Sequence, residues 1–295
     1  MSSCLLLLAA CGARLSGGAA DPDDPSPPGG DAGADAAVDA NPFGPWSTPA
    51  PVGVAATTTS EEDDVTLSSD ALELIFAIPG TSGKDLYYTS RAAIGAAWSV
   101  PAPLPFNTTN ASEEAPRFSG DDLTLYFASD RATADDLDIY GATRTKVGSN
   151  ATWDLARPIT ALKTTANEKW FAPCVNGRYV VVRDRTGTGT DLMEGTLTGG
   201  EPVPLDALNS ASNETGAFVT QDCLTIYFTS ERVKPRRIFV SHRIAIGTPW
   251  QPPVQVDDFK LPAGVQQDPW LSPDGRTFAL ASNAAGTSDI YLSTR

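Results

Sequence analysis

The chain has 295 residues, of which 41% are hydrophobic, and a formal net charge of −15 from 36 acidic and 21 basic residues. This length and apolar content suffice for a globular domain with its own core, while the acidic balance argues against a nucleic-acid partner, because no basic stripe is present to contact phosphates. The chain contains one His, which leaves Ser-His-Asp catalysis, Cys-His catalysis and His-based zinc sites without support.

The N-terminal residues end in Leu8-Ala9-Ala10-Cys11, which resembles the lipobox of bacterial lipoprotein signals. In such signals a cysteine after small residues receives the lipid and becomes the new N-terminus. The resemblance implies that residues 1–11 are a signal, that Cys11 is the lipidation site, and that the protein meets the membrane through a lipid anchor only. The apolar run is short and no Lys or Arg precedes it, so either the start lies upstream or the match is accidental.

Residues 12–45 consist mainly of Ala, Gly, Asp and Pro. A segment with so little to bury does not offset the entropy cost of ordering, so we predict a disordered tether. No later apolar segment approaches the ~20 residues that a membrane-spanning helix requires.

From residue 61 onward one phrase occurs five times. Its clearest copy is Phe118-Ser-Gly-Asp121-Asp-Leu-Thr-Leu-Tyr-Phe127, a polar turn followed by a β-branched and aromatic strand. The turn carries Asp or Asn in every copy, at positions 70, 121, 176, 222 and 274. A period near 50 residues built from short strands is typical of a β-propeller, in which each repeat forms one blade.

The fifth copy ends at Arg295, after its third strand. The missing fourth strand has a match at the other end of the chain: residues 46–52, Trp-Ser-Thr-Pro-Ala-Pro-Val, resemble the phrases that begin at Trp98, Trp153 and Trp250. We therefore predict that residues 46–52 pair with residues 289–294 and close the ring, which removes an exposed sheet edge. The predicted fold is all-β, a five-bladed β-propeller of four-stranded antiparallel blades over residues 46–295.

The phrase Pro-x-Phe-Ser-x-Asp-x-Leu-x-Leu-Tyr-Phe-x-Ser-x-Arg, followed by Asp-Ile-Tyr, is best preserved at 116–131 and 138–140. It resembles the WD40-like PD40 repeat of the TolB C-terminal propeller and of other bacterial envelope proteins. The resemblance implies a propeller in the periplasm or at the outer membrane that works by binding other proteins. It implies no catalytic residue.

Acidic residues recur at the start of each first strand, where the inner strands of a propeller approach one mouth of its channel. We predict a binding surface at this mouth, formed by Glu62, Glu113, Glu114, Glu168, Trp170, Glu214, Asp268 and Trp270. Aromatic residues beside acids suit sugar stacking or a protein hot spot. The alternative is that the acids are solvated loop ends and that the two Trp residues are buried.

A ring of carboxylates could hold Ca²⁺, but no Asp-x-Asp-x-Asp loop supports such a site, so we predict no metal and no cofactor. A glycoside hydrolase would need two carboxylates in different environments, with Glu114, Glu168 and Glu214 as the candidates. Recurrence at one repeat position is instead typical of a structural role.

Cys174 and Cys223 are the only cysteines within residues 46–295, and they occupy neighbouring repeats. A disulfide between them is possible in an oxidising compartment. Two separate buried thiols fit the sequence equally well.

These patterns predict a non-enzymatic protein-interaction propeller of the bacterial cell envelope, an outer-membrane lipoprotein that faces the periplasm or the cell surface, with envelope proteins as partners. The alternative is a carbohydrate-binding or glycoside-hydrolysing propeller that uses inner-strand carboxylates.

Overall fold

The computed structural model describes residues 45–53, 61–185, 189–259, 261 and 264–295. The predicted signal with Cys11, and the tether up to residue 44, lie outside the described residues. Among the described residues we find no helix that could span a bilayer.

The described residues form twenty strands and one short 3-10 turn, Val175–Gly177. In chain order the strands are β1 (Ala50–Pro51), β2 (Asp63–Leu67), β3 (Glu73–Pro79), β4 (Lys84–Ser90), β5 (Ala102–Pro103), β6 (Glu113–Phe118), β7 (Thr124–Ser129), β8 (Asp138–Thr143), β9 (Arg157–Pro158), β10 (Glu168–Pro173), β11 (Arg178–Arg185), β12 (Gly189–Thr196), β13 (Val203–Pro204), β14 (Glu214–Val219), β15 (Thr225–Ser230), β16 (Arg237–His242), β17 (Val254–Gln255), β18 (Gln267–Leu271), β19 (Thr277–Ser282) and β20 (Asp289–Thr294).

The strands form five antiparallel sheets of four strands each, which confirms the predicted five-bladed propeller. Blade 1 is β2–β5, blade 2 is β6–β9, blade 3 is β10–β13, blade 4 is β14–β17, and blade 5 is β18–β20 completed by β1. The first strands of neighbouring blades (β2, β6, β10, β14 and β18) pack against one another around the ring, so they surround its centre.

The N-terminal segment closes the ring as predicted. Ala50 lies opposite Leu292, and Pro51 lies opposite Tyr291. The Ser47 N–H donates to the Thr294 carbonyl at 2.8 Å. Proline fits here because β1 is the outermost strand of its blade and needs no hydrogen bonds on its outer side.

An Arg–Trp stack repeats at the outer part of four blades. The Arg that follows the third strand lies over the Trp of the fourth-strand phrase, with 4.1–4.7 Å from the guanidinium carbon to the ring centre: Arg91 on Trp98, Arg144 on Trp153, Arg243 on Trp250, and Arg295 on Trp46. In the other three blades the two residues of this contact belong to one continuous segment. The last pair instead joins the two ends of the described chain, so the same contact forms across the ring closure.

The turn after each first strand carries a residue with positive φ at its end: Ala71, Asp122, Gly177, Cys223 and Gly275. At two of these positions the residue reaches the preceding blade. The Asp122 carboxylate accepts hydrogen bonds from the backbone N–H and the hydroxyl of Ser69. At the equivalent place between blades 3 and 4, the sulfur atoms of Cys174 and Cys223 are joined, with 5.5 Å between their Cα atoms. The disulfide therefore takes the place of a polar contact between blades.

Candidate functional site

The repeated glutamates at the starts of β6, β10 and β14 are internal clamps. Glu113, Glu168 and Glu214 are each fully buried. Each forms an ion pair with an Arg in or just after the second strand of its own blade: Arg131 at 3.0 Å, Arg183 at 2.9 Å and Arg232 at 3.0 Å. Each also accepts a hydrogen bond from a hydroxyl in the loop that enters the blade, from Thr108, Thr164 and Ser210. These carboxylates thus fasten the entering loop to the second strand.

Blades 5 and 1 lack this clamp. Blade 5 has Gln266 in place of the Glu and Ala284 in place of the Arg, so the charges are absent together. Blade 1 keeps Glu62 but has Gly80 at the Arg position. Burial and the nearby Asp289 carboxylate raise the pKa of Glu62 to about 7. Glu62 lies at the junction of blades 5 and 1, where its N–H donates to the Ser288 carbonyl at 2.7 Å.

A cluster of alternating charges fills the centre of the ring at the start of the first strands. The Lys84 ammonium lies 2.7 Å from Asp63, 2.9 Å from Asp64 and 3.7 Å from Glu114. Lys169 contacts Glu114 from the other side, at 3.2 Å. We call these five residues, together with Asp268, the central charge cluster.

One residue near the start of every first strand has positive φ, and this conformation builds the cluster. The five residues are Asp64, Ala115, Trp170, Gly216 and Asp268, with φ between 47° and 55°. The strand register shifts around this position in all five blades. Such a bulge re-aims side chains: the Trp170 indole N–H donates to the Asp64 carboxylate at 3.1 Å, and the Asp64 N–H donates to the Asp268 carboxylate at 3.2 Å.

The carboxyl groups of the cluster titrate differently because their neighbours differ. Burial and the Asp64 charge raise the pKa of Asp63 to about 8. Burial and the same charge raise the pKa of Asp268 to about 6. For Asp64 burial acts in the same direction, but the contact with Lys84 outweighs it and holds the pKa below its usual range. No group of three or more His, Cys, Asp or Glu within the described residues is arranged to hold a metal ion.

Arg117 closes the channel beyond this cluster. Its side chain comes from β6 and is 3% exposed. It donates to the carbonyls of Val65 at 2.8 Å, Ala217 at 3.1 Å and Pro269 at 3.0 Å, which belong to the first strands of blades 1, 4 and 5. One guanidinium therefore links four of the five first strands across the axis of the propeller.

A cavity opens at the opposite end from the charge cluster. Its volume is about 380 Å³, and we call it the turn-end cavity because the turns after the first strands form its rim. Its walls are largely apolar, with Phe118, Phe218, Val219, Trp270 and Leu271, and Arg117 lies at its inner end. The side chain of Gln221 crosses from the blade 4 turn toward Gly120 in the blade 2 turn, where a Cβ atom would collide with its amide.

The residues predicted to form one binding mouth lie in several places. Glu113, Glu168 and Glu214 lie inside their blades, and Glu62 lies at the junction of blades 5 and 1. Glu114 and Asp268 belong to the central charge cluster, beside the half-buried Trp170. Trp270 is 4% exposed, packs against Phe218 at 6.4 Å between ring centres, and lines the turn-end cavity.

Sequence reasoning did not single out Lys84 or Arg117. A signal for Arg117 was present, because the equivalent residues of the other first strands are Thr66, Ala172, Phe218 and Trp270. An Arg at a position that is otherwise uncharged marks a departure from the repeat. Lys84 carries no such signal, since its contacts depend on how blade 1 folds over the cluster.

No protein-family model matches the chain, and no curated protein sequence matches it. Solved structures do match. A putative TolB from Agrobacterium tumefaciens is similar over 76% of this chain and 71% of its own, with 17% identity and a TM-score of 0.49. The catalytic domain of a GH62 alpha-L-arabinofuranosidase from Coprinopsis cinerea is similar over 85% of this chain and 97% of its own, with 13% identity and a TM-score of 0.56. An endo-arabinase from Bacteroides thetaiotaomicron is similar over 84% and 97%, with 11% identity and a TM-score of 0.56. At these identities the likenesses show the fold alone, so the chain is a β-propeller similar in fold to proteins with different activities.

Proposed function

We propose that this chain is a non-enzymatic binding propeller of the bacterial cell envelope and that its partner is another protein. One observation carries the proposal: the open site and the carboxylates lie apart. The turn-end cavity has apolar and aromatic walls, whereas the repeated glutamates are held in internal ion pairs. A concave apolar site with aromatic residues suits an inserted side chain or chain end of a partner protein.

Two observations support the envelope as its location. The Leu8-Ala9-Ala10-Cys11 sequence resembles a lipoprotein signal. In addition, the Cys174–Cys223 disulfide suits an oxidising compartment, because thiols are kept reduced in the cytosol of most bacteria. Lipidation at Cys11 would place the propeller on a tether next to a membrane, and labelling of the full chain with a radioactive fatty acid, with Cys11→Ser as control, tests this part of the proposal.

The binding proposal is tested with a variant that blocks the cavity. Gly120 is exposed, and the three atoms nearest to a Cβ added there all belong to the movable end of the Gln221 side chain, so we expect Gly120→Trp to fill the mouth without disturbing the strands. Gly200→Trp is the matched control, since nothing lies within 4 Å of a Cβ atom at that position. Full-length chains carrying Cys11→Ser are immobilised and exposed to an envelope extract of the source cell.

We expect a stoichiometric protein to be retained by the unaltered chain and by Gly200→Trp, and to be lost with Gly120→Trp. Equal retention by all three baits would show that the cavity is not the binding site. Retention of glycan without protein would contradict the proposal as a whole.

Carbohydrate binding or glycoside hydrolysis is the second candidate, and a specific observation favours it. Asp64, Glu114 and Asp268 come from the first strands of three blades and meet near the axis. The pKa of Asp64 is lowered and that of Asp268 is raised, and an acid–base pair requires such a difference. The endo-arabinase and the arabinofuranosidase share this fold. Against it, Lys84 already pairs with Asp64, and Lys169 already pairs with Glu114. Hydrolysis of a nitrophenyl arabinofuranoside that is lost in Asp268→Asn but kept in the Gly120→Trp chain would establish this function instead.

A further inference from the structure

The charge of Arg117 has no carboxylate partner. Within the described residues no Asp or Glu oxygen lies within ion-pair distance of its guanidinium, although the side chain is almost fully buried. Burial lowers the pKa of Arg117 to about 10, and the nearest carboxylates, Asp268 and Asp64, oppose this shift only in part. Burying a charge without a partner costs free energy. An anion that reaches this guanidinium therefore gains more binding free energy than it would at the protein surface.

One N–H of this guanidinium is also without an acceptor. A guanidinium carries five N–H donors. Nε donates to Ala217, Nη1 to Val65, and Nη2 to Ala217 and Pro269, all of them backbone carbonyls. This leaves one N–H on Nη1 among the contacts of the described residues.

The turn-end cavity leads to this group and ends there. The first-strand residues that line it begin at Arg117, Ala172, Phe218 and Trp270. The carbonyls that Arg117 contacts lie one residue further back, on Val65, Ala217 and Pro269. Because Arg117 closes the floor, a polypeptide cannot thread through the channel and must enter by an end or by a side chain.

The acids on the rim of the cavity are already engaged. The Asp122 carboxylate accepts hydrogen bonds from Ser69, and the Asp222 carboxylate accepts them from the Thr220 hydroxyl and the Leu224 N–H. Arg117 is the one basic residue that lines the cavity in the described part of the chain. The walls between rim and floor are apolar, so they favour a ligand with a single charge at its tip over a highly charged one.

We infer that the turn-end cavity binds the C-terminal carboxylate of a partner polypeptide whose last side chain is apolar. The carboxylate meets the free N–H of Arg117, and the apolar side chain packs against the wall formed by Phe218, Val219 and Leu271. This inference rests on the proposed protein-binding function and names the part of the partner that is recognised. The last residue of a polypeptide carries both the charge and the apolar side chain. An internal residue has no terminal carboxylate and does not supply both.

The experiment compares two probes that differ only in the terminal charge: the tripeptide Gly-Ala-Phe with a free carboxylate, and the same tripeptide as its C-terminal amide. Binding to the full chain is measured by calorimetry and by ligand-observed NMR. We expect the free acid to bind about tenfold more tightly or better, the ratio expected for a hydrogen bond to a charged group. Gly120→Trp should abolish binding of both probes, and Gly200→Trp should not change either.

Arg117→Met should remove the preference for the acid, and Arg117→Lys should keep part of it. Because Arg117 also links four blades, the Met variant is accepted only if its unfolding remains cooperative; if it does not fold, the acid–amide ratio on the unaltered chain decides. Equal affinity for acid and amide, or no binding of either, overturns the inference. If the envelope partner is still captured through the cavity in that case, the carboxylate inference has failed while the protein-binding proposal stands.

Discussion

Lys84 is one of the two cations of the central charge cluster. Its ammonium contacts the carboxylates of both Asp63 and Asp64. The contacts raise the pKa of Lys84, so it stays charged throughout the neutral range. The charges at the axis are therefore balanced mainly by side chains that the fold itself supplies.

The Glu–Arg clamps allow a reciprocal test at single residues. Glu214→Gln leaves Arg232 without its carboxylate, and we expect the free energy of unfolding to fall by about 2–3 kcal/mol. This is less than the 3–5 kcal/mol typical of a fully buried pair, because Arg232 retains some contact with solvent. Urea denaturation measures the change.

The control for this variant is Gln266→Glu, which places a carboxylate where blade 5 has Ala284 rather than Arg. It should also destabilise the fold, because the new charge is buried without a partner. A stabilising effect of Gln266→Glu would contradict the view that the Glu and the Arg act only as a pair.

The disulfide provides a second test at the residue scale. The bridge joins cysteines 49 residues apart, and removing a link of this kind typically costs 2–4 kcal/mol. We expect the Cys174→Ser, Cys223→Ser double variant to lose about that much in urea denaturation. A thiol reagent should find no free cysteine within residues 46–295 of the native chain. If the chain is unfolded without a reducing agent and two thiols within residues 46–295 then react, the bridge does not form.

At the scale of elements, the bulged first strands and the short outer strands have separate roles. The bulge near the start of each first strand turns Asp64, Trp170 and Asp268 toward the axis, where Asp64 contacts the other two. The outer strands contain only two residues each, and the Arg–Trp stacks add to their attachment. The closing strand β1 depends most on its stack, since β1 and its partner β20 lie at opposite ends of the described chain.

Deletion of residues 46–52 should therefore broaden the thermal unfolding transition and lower its midpoint, because β20 loses its partner strand. Trp46→Ala tests the stack alone. Trp46 packs on Arg295, Phe259 and Phe278, and its loss should lower the midpoint by several degrees more than Trp98→Ala, whose stack lies within continuous chain. An unchanged transition after deletion of 46–52 would show that β1 does not hold the ring closed.

For the whole molecule, the raised carboxyl pKa values set how stability depends on pH. In the folded state the pKa is about 8 for Asp63, about 7 for Glu62 and about 6 for Asp268, each above the value in an unfolded chain. The folded state therefore binds more protons between pH 4.5 and 8. The corresponding stability is present at low pH and is lost as the pH rises through these values.

We expect the free energy of unfolding to fall by about 2 kcal/mol or more between pH 5.5 and 8.5, since each unit of pKa shift corresponds to about 1.4 kcal/mol. Urea titrations across this range measure it. Glu62→Gln should reduce the slope around pH 7, where Glu62 titrates. A stability that rises with pH over this range would contradict the assignment of protonated carboxyls to the interior.

Much of the architecture was predictable from the sequence, because each repeat encodes its own strand, turn and strand. The blade number, the closure by residues 46–52 and the repeat-phased Trp residues follow from local patterns that recur. The candidate site was less predictable. Glu113 and Glu168 would show the same repeat pattern whether they lined the mouth of the channel or formed internal ion pairs. The positions of their Arg partners depend on how the strands pair.

The five repeats, their four strands and the ring closure follow from the amino-acid sequence, since they depend on periodic apolar residues and turn residues that act within one blade. Which end of the channel is open, and which charges meet at the axis, depends on how the blades pack together. Arg117 contacts carbonyls of three other blades, up to 152 residues away in the chain. The bulges that bring Asp64 and Asp268 together act across the ring, and residues so distant meet only once all five blades have packed.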